Sequence, residues 1–213
     1  MKRNLAIGVL LLLVITAGFG GDKAQNESAL GAHVFLLAKQ GSAGGTSLHL
    51  YAPFSGSSVA AGIRIARTAS GYCWTTSIAD ARGDAFRCFV GNNIHDPCFA
   101  DQTGSAHYVL CPLYTPAAKV LRINLTKKLP LNSASGDPTR YPPWALKTVS
   151  GKWCTRFTGA TGNVAGMAMT YGCTGGGLLL GSPRRSTTTW KIFYASSYKA
   201  SQFRPVALRS AWW

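Results

Sequence analysis

The sequence predicts an all-β domain, mostly antiparallel, barrel- or sandwich-like and stabilised by disulfides. Three observations lead there. From about residue 59 onward, short runs rich in β-branched, aromatic and alternating residues recur. Clusters of Gly, Pro, Asn and Asp separate them, as turns between short strands require. Six cysteines follow an apolar N-terminal segment of the kind that directs export. No segment carries a sustained helical period with caps.

The chain begins Met1-Lys2-Arg3-Asn4 and continues with an apolar run from Leu5 to Phe19. A basic start and about 15 apolar residues suit a secretory signal peptide. A bilayer-spanning helix needs ~20. Gly18 and Gly20 offer small residues for cleavage after Gly20 or Gly21. Residues 1–21 are therefore expected to be a signal peptide or an N-terminal anchor. Both place the remainder outside the cell or on the outer face of the cytoplasmic membrane. Residues 22–58, rich in Gly, Ser and Ala, read as a flexible tether. Within it, Ala29–Lys39 suggests a short helix and Ser47–Tyr51 a short strand. Residues 59–213 then form one stapled β domain, long enough for a core of its own.

Strands are expected at Val59–Thr68, Ala85–Val90, His107–Leu110 and Lys119–Thr126. In the last, Leu121, Ile123 and Leu125 alternate with Arg122, Asn124 and Thr126. Trp144–Val149 and Lys152–Phe157 flank Ser150-Gly151, a hairpin turn. Met167–Cys173, Thr188–Tyr194 and Val206–Trp212 complete the set. Asp96-Pro97 reads as a turn before Cys98. Trp74 and Trp153, each beside a cysteine, are expected to pack over a bridge, and Trp213 to be exposed at the chain end.

Cys73, Cys88, Cys98, Cys111, Cys154 and Cys173 suit three disulfides in an oxidising compartment. Spacing alone leaves about 15 pairings open. An internal similarity favours one. Gly71-Tyr72-Cys73 has a cysteine 15 residues on, and Gly151-Lys152-Trp153-Cys154 has one 19 residues on. Both look like a strand, a polar loop and a returning strand. The expected pairs are Cys73–Cys88, Cys98–Cys111 and Cys154–Cys173. Without Cys-x-x-Cys or clustered histidines, no metal and no cofactor are expected.

Charge divides the chain. Asp22–Ala118 holds six basic and six acidic side chains, whereas Lys119–Trp213 holds fourteen Lys or Arg and the single acid Asp137. A field this one-sided attracts polyanions. Outside a cell these are anionic lipid, wall polymer, acidic polysaccharide or nucleic acid. No nucleic-acid-reading module is visible, so sequence-specific recognition is not expected. The loop pairs Lys127-Lys128 and Arg184-Arg185 are the candidate ligand-binding residues.

Catalytic signatures are sparse. Glu27 is the only glutamate and lies in the tether, which disfavours a paired-carboxylate glycosidase. His95-Asp96, with Asp84, Ser77, Ser105 and His107 as further groups, is the best acid–base candidate. No nucleophile elbow, zinc-protease or phosphate-loop motif occurs. Arg82-Gly83-Asp84 spells an adhesion tripeptide, and Asn26 and Asn124 begin glycosylation sequons.

Gly71-x-Cys73-Trp74-x-x-Ser77, Arg82-x-Asp84-Ala85-x-Arg87-Cys88, Asn93-x-x-Asp96-Pro97-Cys98-Phe99 and Cys111-Pro112 form one ordered series. Pro143-Trp144-x-Leu146, Gly151-x-x-Cys154, Tyr171-x-Cys173, Trp190 and Ala211-Trp212 continue it. From Gly71 to Trp213 this series resembles a family of secreted or membrane-anchored Cys- and Trp-rich proteins of actinobacteria and related Gram-positive bacteria. The resemblance implies an envelope-facing module behind an export signal, and no particular activity. The leading expectation is a non-catalytic binding module for an anionic surface or polymer. A secreted hydrolase acting on a wall component or polysaccharide through an aspartate and His95 is the first alternative. A structural accessory domain is the second.

Overall fold

The computed structural model describes residues 44–213 apart from 102, 104–105, 114 and 117. The expected export segment, most of the tether and the Ala29–Lys39 helix lie outside the described residues. Three short strands come first: β1 (Ser47–His49), β2 (Phe54–Ser55) and β3 (Ser58–Val59). Five follow: β4 (Arg64–Thr76), β5 (Ala85–Val90), β6 (Asn93–Phe99), β7 (Tyr108–Pro112) and β8 (Lys119–Leu125). After a 3-10 turn at Pro138–Arg140 come β9 (Ala145–Thr148), β10 (Trp153–Arg156), β11 (Asn163–Val164) and β12 (Met167–Cys173). The last three are β13 (Leu178–Arg184), β14 (Lys191–Ala195) and β15 (Arg204–Trp212).

The fold is all-β, mostly antiparallel and barrel-like, as the strand pattern predicts. Strands β4 to β8 close into a first barrel. Strands β9, β10, β12, β13, β14 and β15 form a second ring, sealed where β15 meets β9. Each is a meander, so strand parity fixes its seam. Five alternating strands leave first and last pointing the same way, and β4 pairs with β8 in parallel. Six leave them opposed, and β15 pairs with β9 antiparallel. Closure removes the exposed edges that open sheets must otherwise protect.

Side-chain alternation then distributes the core. In β6 to β8, Cys98, Cys111 and Leu121 point into the first barrel. Their neighbours Phe99, Leu110 and Val120 point out, into a second core shared with Tyr51, Trp144 and Ala145. That outer cluster joins the two barrels, which explains why Val109-Leu110-Cys111 and Val120-Leu121 are apolar without alternation. Leu146, Tyr171, Leu179, Leu208 and Trp213 fill the second barrel. The buried Tyr171 hydroxyl donates to the Pro143 carbonyl at 2.9 Å.

All three disulfides join facing residues on neighbouring antiparallel strands, in the pairing the internal similarity predicts. Cys73 faces Cys88 and Cys154 faces Cys173, while Cys98–Cys111 lies one step from the Phe99–Leu110 pair. Their Cα atoms are 3.8, 3.9 and 4.1 Å apart, respectively.

Several local expectations are corrected. The Asp96-Pro97 step lies inside β6, because a bulge there spares the ladder the amide that proline lacks. Strand β13 is an addition to the strands the sequence pattern marks; its Gly181-Ser182-Pro183 interruption is absorbed as an irregularity opposite Ile192. Residues 44–58, assigned to the tether, are packed: β1 pairs in parallel with Ser210–Trp212, and Tyr51 is buried. Neither Trp74 nor Trp153 is among the side chains packed on the buried cluster that holds its neighbouring cysteine; Trp74 stacks on Phe89 at 4.1 Å and Trp153 meets Trp212 at 4.7 Å. Trp213 is buried rather than exposed; its indole N–H donates to the Tyr141 carbonyl at 2.9 Å.

Each bridge closes a loop of modest length, worth about 2–4 kcal/mol. The double substitution Cys154→Ser, Cys173→Ser should lower stability by about that amount in urea unfolding. Non-reducing peptide maps of the wild type should recover the three facing pairs and no crossed one.

Candidate functional site

The polar chemistry of the first barrel gathers around Arg87. Two bulges meet it. On β4, Trp74 is an extra residue between the Cys73–Cys88 and Thr75–Arg87 pairs. On β6, Asp96 and Pro97 together oppose Arg87. Bulges re-aim side chains, and here they bring both neighbours to one guanidinium. Its carbon lies 5.2 Å from the Trp74 ring centroid, and its Nε is 3.8 Å from Asp96 Oδ2. Its Nη2 donates to the Thr158 carbonyl at 2.5 Å, which ties the loop after β10 to the first barrel.

Asp96 is itself occupied. Its side chain is fully buried. Oδ1 accepts from the Ser77 hydroxyl, and Oδ2 accepts from the Ile78 amide at 3.2 Å. Ser77 Oγ also accepts from the amides of Ala79 at 3.1 Å and Asp80 at 2.9 Å. The Ser77 hydroxyl thus caps a turn and spends its proton on Asp96, the arrangement of a fixed loop rather than of an activated nucleophile. Burial holds the Asp96 carboxyl above its ordinary range, against the Ser77, Ile78 and Ala79 hydrogen bonds and the Arg87 charge.

His95 and Asp96 share the rim of a cleft of about 450 Å³ with Arg67 and Asn93. No hydrogen bond joins the imidazole to Ser77, Asp84 or Asp96 among the described residues, and the buried Nε2 has no partner. Burial and then the Arg67 charge push the His95 pKa down. His107 borders a different cleft, with Lys127 and Lys128. Ser105 lies outside the described residues.

Asp84 belongs to another network. Arg82 grips it with two donors, Nε to Oδ1 at 2.9 Å and Nη2 to Oδ2. The same guanidinium donates to the Tyr51 carbonyl, reaches the Trp213 carbonyl at 3.4 Å and lies 4.6 Å from the Phe99 ring. Arg82 therefore stitches the first barrel to the chain terminus. The Arg82-Gly83-Asp84 tripeptide is folded on itself, with side chains only 9% and 16% exposed, so it is not displayed as an adhesion loop. A Cβ on Gly83 would lie 2.6 Å from the Ala134 carbonyl, so only glycine lets segment 132–134 pack there. Asn132 completes that contact by donating to the Arg82 and Ala85 carbonyls.

The basic residues lie elsewhere, and the structure divides the four candidates. Lys127 and Lys128 follow β8 on the first barrel, with Lys127 Nζ 4.1 Å from the Tyr72 ring. Arg184 ends β13 on the second barrel. Arg185 is committed to the fold: it donates to the Thr139 and Tyr141 carbonyls and lies over Trp190 and Trp213. Sequence reading missed Lys191, which faces Arg184 across the β13–β14 ladder. Only strand register brings those two charges together.

Asp80 is 1% exposed, and one of its carboxylate oxygens lacks a partner. Burial raises its pKa from 3.8 to about 6, the nearby Arg82 charge only partly offsetting this. A raised folded-state value means the native chain holds this proton more tightly than the unfolded one. The contribution is complete below about pH 4 and is lost as pH rises through about 6, amounting to about 2–3 kcal/mol. Asp80→Asn should therefore gain stability relative to wild type by about that much between pH 4 and pH 7. Urea unfolding at both pH values measures it; parallel pH profiles for the two proteins would contradict it.

Searches of protein-family models, curated proteins and solved structures find no match to this chain.

Proposed function

We propose that this chain is a non-catalytic binding module that faces the outside of the cell, secreted or held by its N-terminal segment, and engages an anionic surface or polymer through its basic C-terminal half. One observation carries the reading. The ion pairs among the described residues are Arg82–Asp84 and Arg87–Asp96, both in the first barrel. None of the fourteen cations from Lys119 onward joins one. Several lie on aromatic faces instead: Arg122 on Tyr108 at 3.9 Å, Lys147 on Trp153 at 4.8 Å and Arg184 on Phe193 at 4.7 Å. A ring orients a cation without neutralising it, which leaves the charge available to a polyanion.

The three bridges suit an oxidising compartment outside the cytoplasm. Anionic lipid and phosphate-rich wall polymer are the polyanions at hand there. The hydrolase alternative gains little support, because Ser77, Asp84 and Asp96 are consumed by structural hydrogen bonds.

The test is cosedimentation with anionic vesicles, zwitterionic vesicles and a wall polymer at two salt concentrations. A surface making about four phosphate contacts should lose roughly a hundredfold in affinity between about 50 and about 200 mM salt. Zwitterionic vesicles should not bind. Failure to bind every anionic target at the lower salt would sink the proposal.

A further inference from the structure

We propose that the β13–β14 hairpin carries a pocket for a single phosphate group, and that this pocket is where the basic half takes hold of its ligand. The inference rests on the binding-module reading above and gives it a site and a chemistry.

Arg184 and Lys191 are directly opposed in the antiparallel ladder. Facing residues share one side of the sheet, and like charges in that position are destabilising. Both side chains are exposed, and both line the same concavity, of about 190 Å³. Ser182, Ser186 and Thr187 line it with them, and no acidic residue does. The juxtaposition is therefore left without an internal counter-charge, which an incoming anion would supply.

The backbone builds the hollow. Between the Leu180–Phe193 and Arg184–Lys191 pairs, three residues of β13 oppose one residue of β14. Gly181 takes up a left-handed conformation there, φ 68°. The excess chain lifts Ser182 out of the ladder beside the two cations. Arg184 is braced from beneath: its guanidinium lies 4.7 Å from the Phe193 ring, which packs edge-on against Phe203 at 4.9 Å. A guanidinium held over a ring still has N–H groups for a bidentate oxyanion contact. The Thr187 hydroxyl donates to the Thr189 carbonyl at 2.6 Å, which fixes the loop. The Ser182 and Ser186 hydroxyls have no protein partner among the described residues and can donate to the ligand.

Size limits what fits. Drug-sized ligands occupy about 300–1,000 Å³, so this hollow takes one group, not a whole molecule. Two cations and two hydroxyl donors match the charge and the several acceptors of a phosphate. That group could belong to free phosphate, to a glycerol-phosphate polymer or to a lipid headgroup.

Amide NMR titration with inorganic phosphate tests the pocket by itself. Signals from residues 182–193 should move, and the response should weaken tenfold or more in Arg184→Gln, Lys191→Gln. The control Arg64→Gln, Arg67→Gln, an equal charge change at exposed residues of the neutral half, should respond like wild type. Thermal melts provide a second readout: phosphate should raise the Tm of wild type and control but not of the hairpin variant. Silent 182–193 signals, or equal loss in both variants, would overturn the pocket. Cosedimentation of the same three proteins with a glycerol-phosphate polymer and with phosphatidylglycerol vesicles identifies the source of the group. Binding to these targets with an unresponsive hairpin would overturn the pocket and keep the surface reading. A responsive hairpin in a protein that binds neither target would overturn the surface reading and keep the pocket.

Discussion

A β-meander becomes a barrel only when its last strand can hydrogen-bond its first, and that single closure governs both halves of this molecule. The parallel seam between β4 and β8 and the antiparallel seam between β9 and β15 follow from five and six strands, respectively. Once the rings close, every inward side chain competes for a narrow interior. Small bridged cysteines suit that space, and they occupy facing positions across neighbouring strands. The disulfides thus lock a register that closure and burial already favour. They limit the unfolded chain more than they shape the folded one.

Closure also decides where polar groups go. A ring with its interior filled by Cys, Leu and Ile pushes its Asp, Ser and Arg side chains outward. In the first barrel they meet the second barrel and the segments that join it. Arg82 and Arg87 each neutralise an aspartate and donate to a carbonyl far away in sequence, at Tyr51 and Thr158. Two acids of the neutral half, Asp84 and Asp96, are consumed in this joining. The second barrel contributes almost no acid, so several of its cations, Lys147, Arg184 and Lys191 among them, lie over aromatic rings or beside each other. Charge segregation along the sequence becomes partial segregation in space: the second barrel lies wholly within the basic half, while β8, with Lys119 and Arg122, completes the first.

The same logic explains why the most chemically suggestive segment, Gly71 to Phe99, is mainly scaffold. Its aspartates, serine and histidine have the composition of a site. The bulge at Asp96 aims its carboxylate at Arg87 and a turn amide, Arg82 takes Asp84, and Ser77 caps a turn. The exposed hairpin of the second barrel looks plainer in sequence. It nevertheless sets two cations face to face beside free hydroxyls.

Much of the architecture was legible from residue order. Period-two alternation located the strand at Lys119–Leu125, turn residues located the Ser150-Gly151 hairpin, and repeated cysteine spacing indicated the bridges, because each signal is local. The strands at Asn93–Phe99 and Leu178–Arg184 were obscured by Pro97 and by Gly181-Ser182-Pro183, which a bulge accommodates but a local pattern reads as a break. Arg185 and Trp213 looked available in sequence and are held by partners more than 40 and 70 residues away, respectively. Lys191 looked unremarkable until register placed it opposite Arg184. Composition and spacing determined that this chain is an all-β, disulfide-bridged protein with a basic second half. Only the tertiary structure decided which charges are spent and which are left over, because pairing depends on contacts between residues far apart along the chain.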